Sequence, residues 1–188
     1  MEILSIVIRG GVMLAIFERR DILNYCLHYN IKLEDFNEPV FLLMSCNCES
    51  LFEGCSSFNQ PVIIPEGTIS CKRMFFGCKS FNQSIEIPSS VKICSEMFAW
   101  CSVFNSPVII NEGVVNCFNM FNYCRKFNNS VIIPKSVENV ALMMNECISF
   151  RSTVSYFKEF LSKFYRESEI DWDLFGFEWS GQASVCAV

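Results

Sequence analysis

Histidine is almost absent from this chain of 188 residues, which contains only His28. A Ser-His-Asp triad or a Cys-His pair would have to use His28, which lies on the surface of a predicted helix. The sequence also has no Walker loop, no GxGxxG motif after a strand and no HExxH motif, the patterns that bind phosphates, dinucleotides or zinc. We therefore expect a protein that is not an enzyme and that has no cofactor and no catalytic residue.

Charged residues and long apolar runs are also scarce. Lys and Arg total 15 against 20 Asp and Glu, with no periodic basic column, so we expect no nucleic acid partner. No uncharged run reaches the 18 or more residues of a membrane span. The apolar run after Met1-Glu2 is broken by Arg9 and two glycines, unlike a signal peptide. The sequence predicts no membrane contact and a cytoplasmic protein, of a bacterium or of an infected host cell.

What the chain has instead is a repeat. One Phe column has intervals of 22 and then 23 residues, and two Cys columns and a Met column keep the interval of 23 throughout. Such self-similarity is the signature of stacked repeat units. The members are Phe36, Phe58, Phe81, Phe104, Phe127 and Phe150; Cys55, Cys78, Cys101, Cys124 and Cys147 (the Cys55 column); Cys48, Cys71, Cys94, Cys117 and Val140 (the Cys48 column); and Met74, Met97, Met120 and Met143.

Within a unit, the apolar spacing predicts a strand followed by a helix. Pairs such as Val62 and Ile64 lie two residues apart and are β-branched, which favours a short strand. We predict strands at residues 40–42, 62–64, 85–87, 108–110 and 131–133, with Phe58 stacked on Phe81. Offsets of three, four and seven residues in the second half of the unit indicate one face of a helix.

Two segments carry a resemblance to a known family: IPSSVKICSEMFAWCSVFNSPVII and IPEGTISCKRMFFGCKSFNQSIEI. They resemble the BspA-like leucine-rich repeat, and their Phe-Asn-Gln form is similar to repeats of bacterial surface lipoproteins and phage proteins. Phe replaces the usual Leu, and Met replaces the usual Ala. The resemblance implies an α/β solenoid, a leucine-rich-repeat-like array of about five 23-residue coils, each with a short parallel strand and a short helical segment, with the strands lining the concave side.

The 12 cysteines allow three interpretations. Disulfides are disfavoured because Val140 ends one column and cannot form a bridge. Zinc is disfavoured because the in-unit spacing is C-x6-C and the chain has one His. Buried free thiols remain, forming a cysteine ladder that suits a reducing compartment. On this interpretation Cys101→Ser places a hydroxyl in the core without a partner, and Cys26, Cys46 and Cys186 are the candidates for reactive thiols.

A column of asparagines starts the strands: Asn37, Asn59, Asn82, Asn105 and Asn128. Stacked amides are either a binding surface or, as we expect, partners for the backbone of the next coil.

Function should then lie in the positions that vary. The middle residue of each predicted strand lies on the face opposite the core, and we name this set the strand face: Phe41, Ile63, Glu86, Ile109 and Ile132. It is apolar and nearly uncharged, which predicts a protein-binding site. The alternative is that the terminal segments fold back over it.

The flanks do not repeat. Residues 1–35 predict a cap of a strand hairpin and a helix, residues 36–150 the solenoid, and residues 151–168 a capping helix. Residues 169–188 form an acidic aromatic tail, a second candidate for protein binding or a segment that packs back on the solenoid; its candidate residues are Asp171, Trp172, Asp173, Phe175, Phe177 and Trp179.

The sequence therefore favours a non-enzymatic protein-protein interaction module. A phage or bacterial intracellular protein that binds and inhibits or adapts a host protein fits this description. The alternative is a structural spacer or a surface or virion component. The partner is another protein, with a homo-oligomer left open.

Overall fold

The structure, a computed structural model, describes residues 5–8, 11–44, 46–156 and 184–187. At its N-terminal end, strand β1 (Ser5–Ile8) pairs antiparallel with β2 (Gly11–Ile16). Strand β2 then pairs in parallel with β3 (Val40–Leu42), with Leu14 opposite Val40. The N-terminal hairpin thus occupies the edge of the first repeat unit, where it supplies hydrogen-bond partners for an otherwise open strand.

Helix α1 (Arg19–Tyr29) connects the hairpin to the first unit and is followed by a 3-10 helix at Leu33–Asp35. Asp21, in the first turn of α1, caps the start of the helix, because its carboxylate accepts the N–H groups of Phe17 and Glu18 at 2.7 and 2.9 Å. Asn30 ends it in the left-handed conformation, with φ 52°. Ile22 and Cys26 of α1 are buried and belong to the main core.

Short strands follow the Phe-Asn pairs. Strands β4 (Ile85–Ile87) and β5 (Val108–Ile110) pair in parallel, and β6 (Val131–Ile133) pairs in parallel with β7 (Thr153–Tyr156). Each of β3 to β6 buries its two outer residues and exposes the middle one, because successive side chains of a strand point to opposite faces. Four of the five predicted strands are therefore present in the structure.

The predicted strand at residues 62–64 is wrong. This stretch keeps the alternation, with Val62 and Ile64 buried and Ile63 exposed, but it forms no strand pairing. Of the repeat units it alone has proline at both ends, Pro61 and Pro65. Since proline has no N–H to donate, both ends of this segment lack a donor for a sheet ladder.

The second half of each unit consists of successive turns, so the prediction of a short helical segment is also wrong. Left-handed residues interrupt the chain at regular positions, for example Arg73 with φ 55° and Gly77 with φ 72°. A right-handed helix cannot continue through such residues. The apolar spacing of three and four residues is produced here by consecutive turns, which present the same side chains to the core.

The turn backbone divides its donors between two directions. Alternate N–H groups bond three residues back, as those of Met74, Phe76 and Cys78 do. The others, those of Arg73, Phe75 and Gly77, donate at 2.9 to 3.0 Å to carbonyls of the next unit, at Ser95, Met97 and Ala99. A helix would use nearly all of its donors internally, so turns explain how the units are joined.

Stacked phenylalanine rings fill the core. Phe58 and Phe81 stack at 6.1 Å between ring centroids with 5° between planes, as predicted. A second Phe column runs beside the first, and Phe75 stacks at 5.6 Å on Phe98. Rings of the two columns also meet, Phe75 and Phe81 at 4.1 Å. Both columns are buried, so these ten of the 19 phenylalanines lie in the core rather than on a surface.

The asparagine column binds the backbone, which confirms its predicted role. The side-chain oxygen of each Asn accepts the N–H of the residue one repeat later; Asn59, for example, accepts from Asn82 at 2.9 Å. The next column adds a second bond, since the Gln83 side chain donates to the Asn59 carbonyl at 3.0 Å. The same contacts recur from Asn37 to Arg151.

At the C-terminal end, β7 (Thr153–Tyr156) lies within the capping helix predicted at residues 151–168, so that part of the prediction is wrong. The strand continues the stack by pairing with β6, and β8 (Ser184–Ala187) pairs in parallel with β7. Pairing with β6 satisfies the edge that the last unit presents, which helical spacing alone does not reveal. The rest of the predicted helix lies outside the described residues. Within those residues, no helix is long and apolar enough to cross a membrane.

Candidate protein-binding surface

The strand face is built from the middle residues of the short strands. All five side chains are exposed, and the three isoleucines are the most prominent, with Ile63, Ile109 and Ile132 exposed by 87%, 54% and 64%. Parallel register places Glu86 opposite Ile109 and Phe41 opposite Ala15. Strand pairing thus places two members of the strand face, Glu86 and Ile109, side by side, while Ile63 holds the equivalent place in the unit without strand pairing.

The strand face carries one carboxylate among its five residues. Glu86 accepts a hydrogen bond from the Asn111 side chain at 3.2 Å. On one flank, the polar side chains of the Asn and Gln columns are used in bonds between units, so they are held in place. This surface therefore offers aliphatic contact bordered by immobilised amides.

Three charged groups of the turn segments pair with each other. Arg73 contacts Glu53 at 2.6 Å and Glu96 at 2.7 Å, so one residue from each of three consecutive units joins a single network. Hydrogen bonding to Arg73 lowers the pKa of Glu53, and that to Glu53 raises the pKa of Arg73. Arg19 joins α1 to the unit that contains Glu53, donating to the carbonyls of Ser50 and Glu53 at 2.6 and 2.7 Å.

The cysteines that the structure describes are free and buried. Burial raises the pKa of Cys55, Cys117 and Cys147 to about 12, so these groups are protonated thiols at neutral pH. Cys26 and Cys46, predicted as reactive, are buried too. The side chain of Cys186 lies outside the described residues. Among the described residues, no group of three His, Cys, Asp or Glu is arranged to hold a metal ion.

The Cys55 column makes a contact that the sequence does not reveal. Four of its thiols donate to the carbonyl of a Phe in the preceding unit, each at 3.0 Å: Cys78 to Phe52, Cys101 to Phe75, Cys124 to Phe98 and Cys147 to Phe121. The expectation that Cys101 has no polar partner is therefore wrong. The side chain is a donor within the core as well as a small apolar group.

A cluster of three thiols, those of Cys46, Cys48 and Cys71, lies at the start of the Cys48 column. Cys48 Sγ is 3.9 Å from Thr68 Oγ1 and 3.7 Å from the Cys46 carbonyl oxygen. Hydrogen bonds from Cys46, Cys71 and Thr68 lower the pKa of the Cys48 thiol. Because the cluster is buried, this thiol is inaccessible to reagents in the folded chain.

Two aromatic residues that sequence reasoning overlooked lie in the turn segments. Trp100 and Tyr123 stack at 4.1 Å with 10° between their planes. The available signal was their separation of 23 residues, which places them in one column. The predicted tail residues, Asp171 to Trp179, lie outside the described part of the chain.

These stacked 23-residue units define a repeat protein. A family model described as "Mycoplasma protein of unknown function, DUF285" matches residues 19–109 and, in a second register, 45–131. The two matches together span more than half of the chain, which therefore belongs to that family. No curated protein and no solved structure matches the chain.

Proposed function

We propose that this chain is a non-enzymatic protein-protein interaction module that binds its partner on the strand face. We further propose that its units form a solenoid of about five coils, of the BspA-like leucine-rich-repeat kind. Hydrogen bonds between successive units and two continuous Phe columns support this arrangement. We also propose that the chain catalyses no reaction. The buried, protonated thiols and the ion pairs of Arg73 with Glu53 and Glu96 support this part of the proposal.

The observation that carries the proposal is the exposure of Ile63, Ile109 and Ile132 on one face. Single apolar residues are common on surfaces, but apolar residues that recur at one position of successive units, here interrupted by Glu86, form a patch of the kind that marks a contact site. Strand neighbours lie about 4.8 Å apart, so the pairing of β4 with β5 fixes the spacing of adjacent side chains. Because the backbone is already ordered, binding there requires little further loss of conformational entropy.

The test is Ile109→Arg, with Ile69→Arg as its matched control. Ile69 is exposed by 58%, close to the 54% of Ile109, but it lies outside the strand face. We expect the wild-type chain to capture one stoichiometric partner from host lysate. Ile109→Arg should lose that partner, because an unpaired cation would be buried at the interface. Ile69→Arg should capture as wild type does. Both variants should unfold within about 0.5 kcal/mol of wild type, as exposed positions do.

Equal capture by wild type and Ile109→Arg would exclude the strand face. Truncation after Glu169 would then test the tail. If the wild-type protein instead fractionates with particles or envelope and captures nothing, the spacer function replaces the binding function. Loss of folding in Ile109→Arg would mean that another part of the chain covers this surface.

A further inference from the structure

Trp100 occupies an unusual position in the turn segments. It adopts the left-handed conformation, with φ 66°, and its side chain is exposed by 46%. Tyr123, one repeat later, has φ 59° and covers one face of the indole ring. Residues 23 apart stack throughout this chain, so the other face of Trp100 is directed to the equivalent position one repeat earlier.

That earlier position is Gly77, and the one before it is Gly54. Both have positive φ, 72° and 79°, and therefore share the backbone conformation of Trp100. A Cβ atom built on Gly54 would meet nothing within 4 Å, and one built on Gly77 would meet only the Gly54 backbone at 4.0 Å. The aromatic column therefore stops at Trp100, because neither glycine has a side chain and each position leaves room for a Cβ atom.

We propose that the open face of Trp100 and the two glycines form a slot for a planar ring, occupied by an aromatic side chain of a protein partner. The Trp100–Tyr123 stack has the spacing of an aromatic pair. A ring bound over Gly77 would continue that column by one member. This site lies in the turn segments and does not depend on binding at the strand face.

Local charge favours an aromatic side chain over a nucleobase. The neighbouring column contains two cations among five residues: Ser56, Lys79, Ser102, Arg125 and Ile148. Arg125 already lies 5.9 Å from the Tyr123 ring, and Arg73 lies over Phe76 at 3.7 Å and pairs with two carboxylates. A nucleic acid strand needs a continuous basic groove beside its stacked bases, which this column does not supply.

The experiment uses the full chain labelled with 5-fluorotryptophan. The sequence has three tryptophans, Trp100, Trp172 and Trp179, and Trp100→Phe assigns the signal of Trp100 in the ¹⁹F spectrum. The probe is N-acetyl-tryptophanamide at millimolar concentration, and N-acetyl-cyclohexylalaninamide is the matched apolar but non-planar control. We expect a saturable shift of the Trp100 signal with the aromatic probe, and affinity weaker by about ten-fold for the cyclohexyl control.

Gly77→Tyr should abolish the shift, because the introduced ring fills the slot. Residue 77 has positive φ, a conformation that the aromatic residues Trp100 and Tyr123 also adopt, so a tyrosine can be placed there. If Gly77→Tyr does not fold, Trp100→Leu tests the slot instead. Saturation transfer from this variant to the probe should be lost, because the indole ring that stacks on the probe is missing.

Three results would overturn the proposal. They are the absence of a saturable shift at Trp100, probe binding retained by Trp100→Leu, and adenosine monophosphate binding more tightly than the aromatic amide. The last would assign the slot to a nucleotide. Ile109→Arg should leave probe binding unchanged, so this result and that of the strand-face test are separable.

Discussion

The two cysteine columns share a period, a residue type and a buried core, but they are bonded differently. In the Cys55 column, four thiols donate to main-chain carbonyls at 3.0 Å. In the Cys48 column, the thiols of Cys94 and Cys117 donate to no carbonyl in the described part of the chain, although both are fully buried. From Cys78 onwards the Cys55 column is a set of hydrogen-bond donors, whereas Cys94 and Cys117 of the Cys48 column are small apolar groups.

This difference explains where the repeat changes. The Cys48 column ends in Val140, whereas the Cys55 column has Cys in all five units. Valine fills an apolar site but donates nothing, so it fits the first column and would leave a carbonyl of the second without its thiol partner. A repeated residue therefore has to be interpreted column by column, according to the atoms that face it.

The largest effect we predict is common to both columns and concerns alkaline pH. Burial raises the pKa of Cys55, Cys117 and Cys147 to about 12, whereas an exposed thiol has a pKa of about 8.5. Their contribution to stability is complete below the unfolded-state value and is lost as pH rises towards the folded-state value. Each such thiol should cost about 1.4 kcal/mol per pH unit in that window, measured by urea unfolding between neutral pH and mild alkali.

Lysines and tyrosines also titrate there, so a thiol variant isolates the effect. Cys117→Val should reduce the slope of unfolding free energy against pH by about 1.4 kcal/mol per unit above the exposed-thiol pKa. An unchanged slope would show that this thiol is not buried in the folded chain.

The second prediction separates the columns by replacing one thiol of each with valine. Cys124→Val removes the donor to the Phe98 carbonyl and adds a methyl group to a packed core, which should cost about 2 to 3 kcal/mol. Cys117→Val adds the methyl group alone, in the column that already carries Val140, and should cost about 1 kcal/mol. Urea midpoints with unchanged slopes measure both, and equal losses would refute the difference between the columns.

The sequence predicts which side chains are buried better than it predicts which atoms form hydrogen bonds. Apolar periodicity identifies which residues face the core, and it placed the middle residues of the strands outward, Ile63 included. It did not reveal backbone partners. The turns of residues 71–78 share the side-chain spacing of a helix, and only their backbone, with left-handed residues and hydrogen bonds to the next unit, distinguishes them from a helix. The strand at residues 62–64 failed for a similar reason, since side-chain alternation survives where two prolines remove the donors.

The candidate sites show the same limit. The strand face follows from alternation along each strand, so its residues could be named in advance. The slot beside Trp100 depends on which positions adopt positive φ, and neighbouring units place Gly77, Trp100 and Tyr123 there. The period of 23 residues aligns Trp100 with Gly77. Because non-glycine residues with positive φ are uncommon, the sequence alone does not show that both positions adopt that conformation.

The smallest effect that we predict is for serine variants of the same two cysteines, Cys124 and Cys117, and the loss of stability is ranked in the opposite order from that of the valine variants. Cys124→Ser keeps a donor facing the Phe98 carbonyl, although the shorter C–O bond lengthens the contact, and it should cost less than about 1 kcal/mol. Cys117→Ser buries a hydroxyl at a site where the thiol has no carbonyl acceptor, and should cost about 1 to 2 kcal/mol. The order of the two columns in serine variants is then opposite to that in valine variants. Because total core volume changes alike in each pair, packing alone cannot produce this crossing. If serine is tolerated better at Cys117 than at Cys124, the thiol-carbonyl bonds contribute nothing to stability.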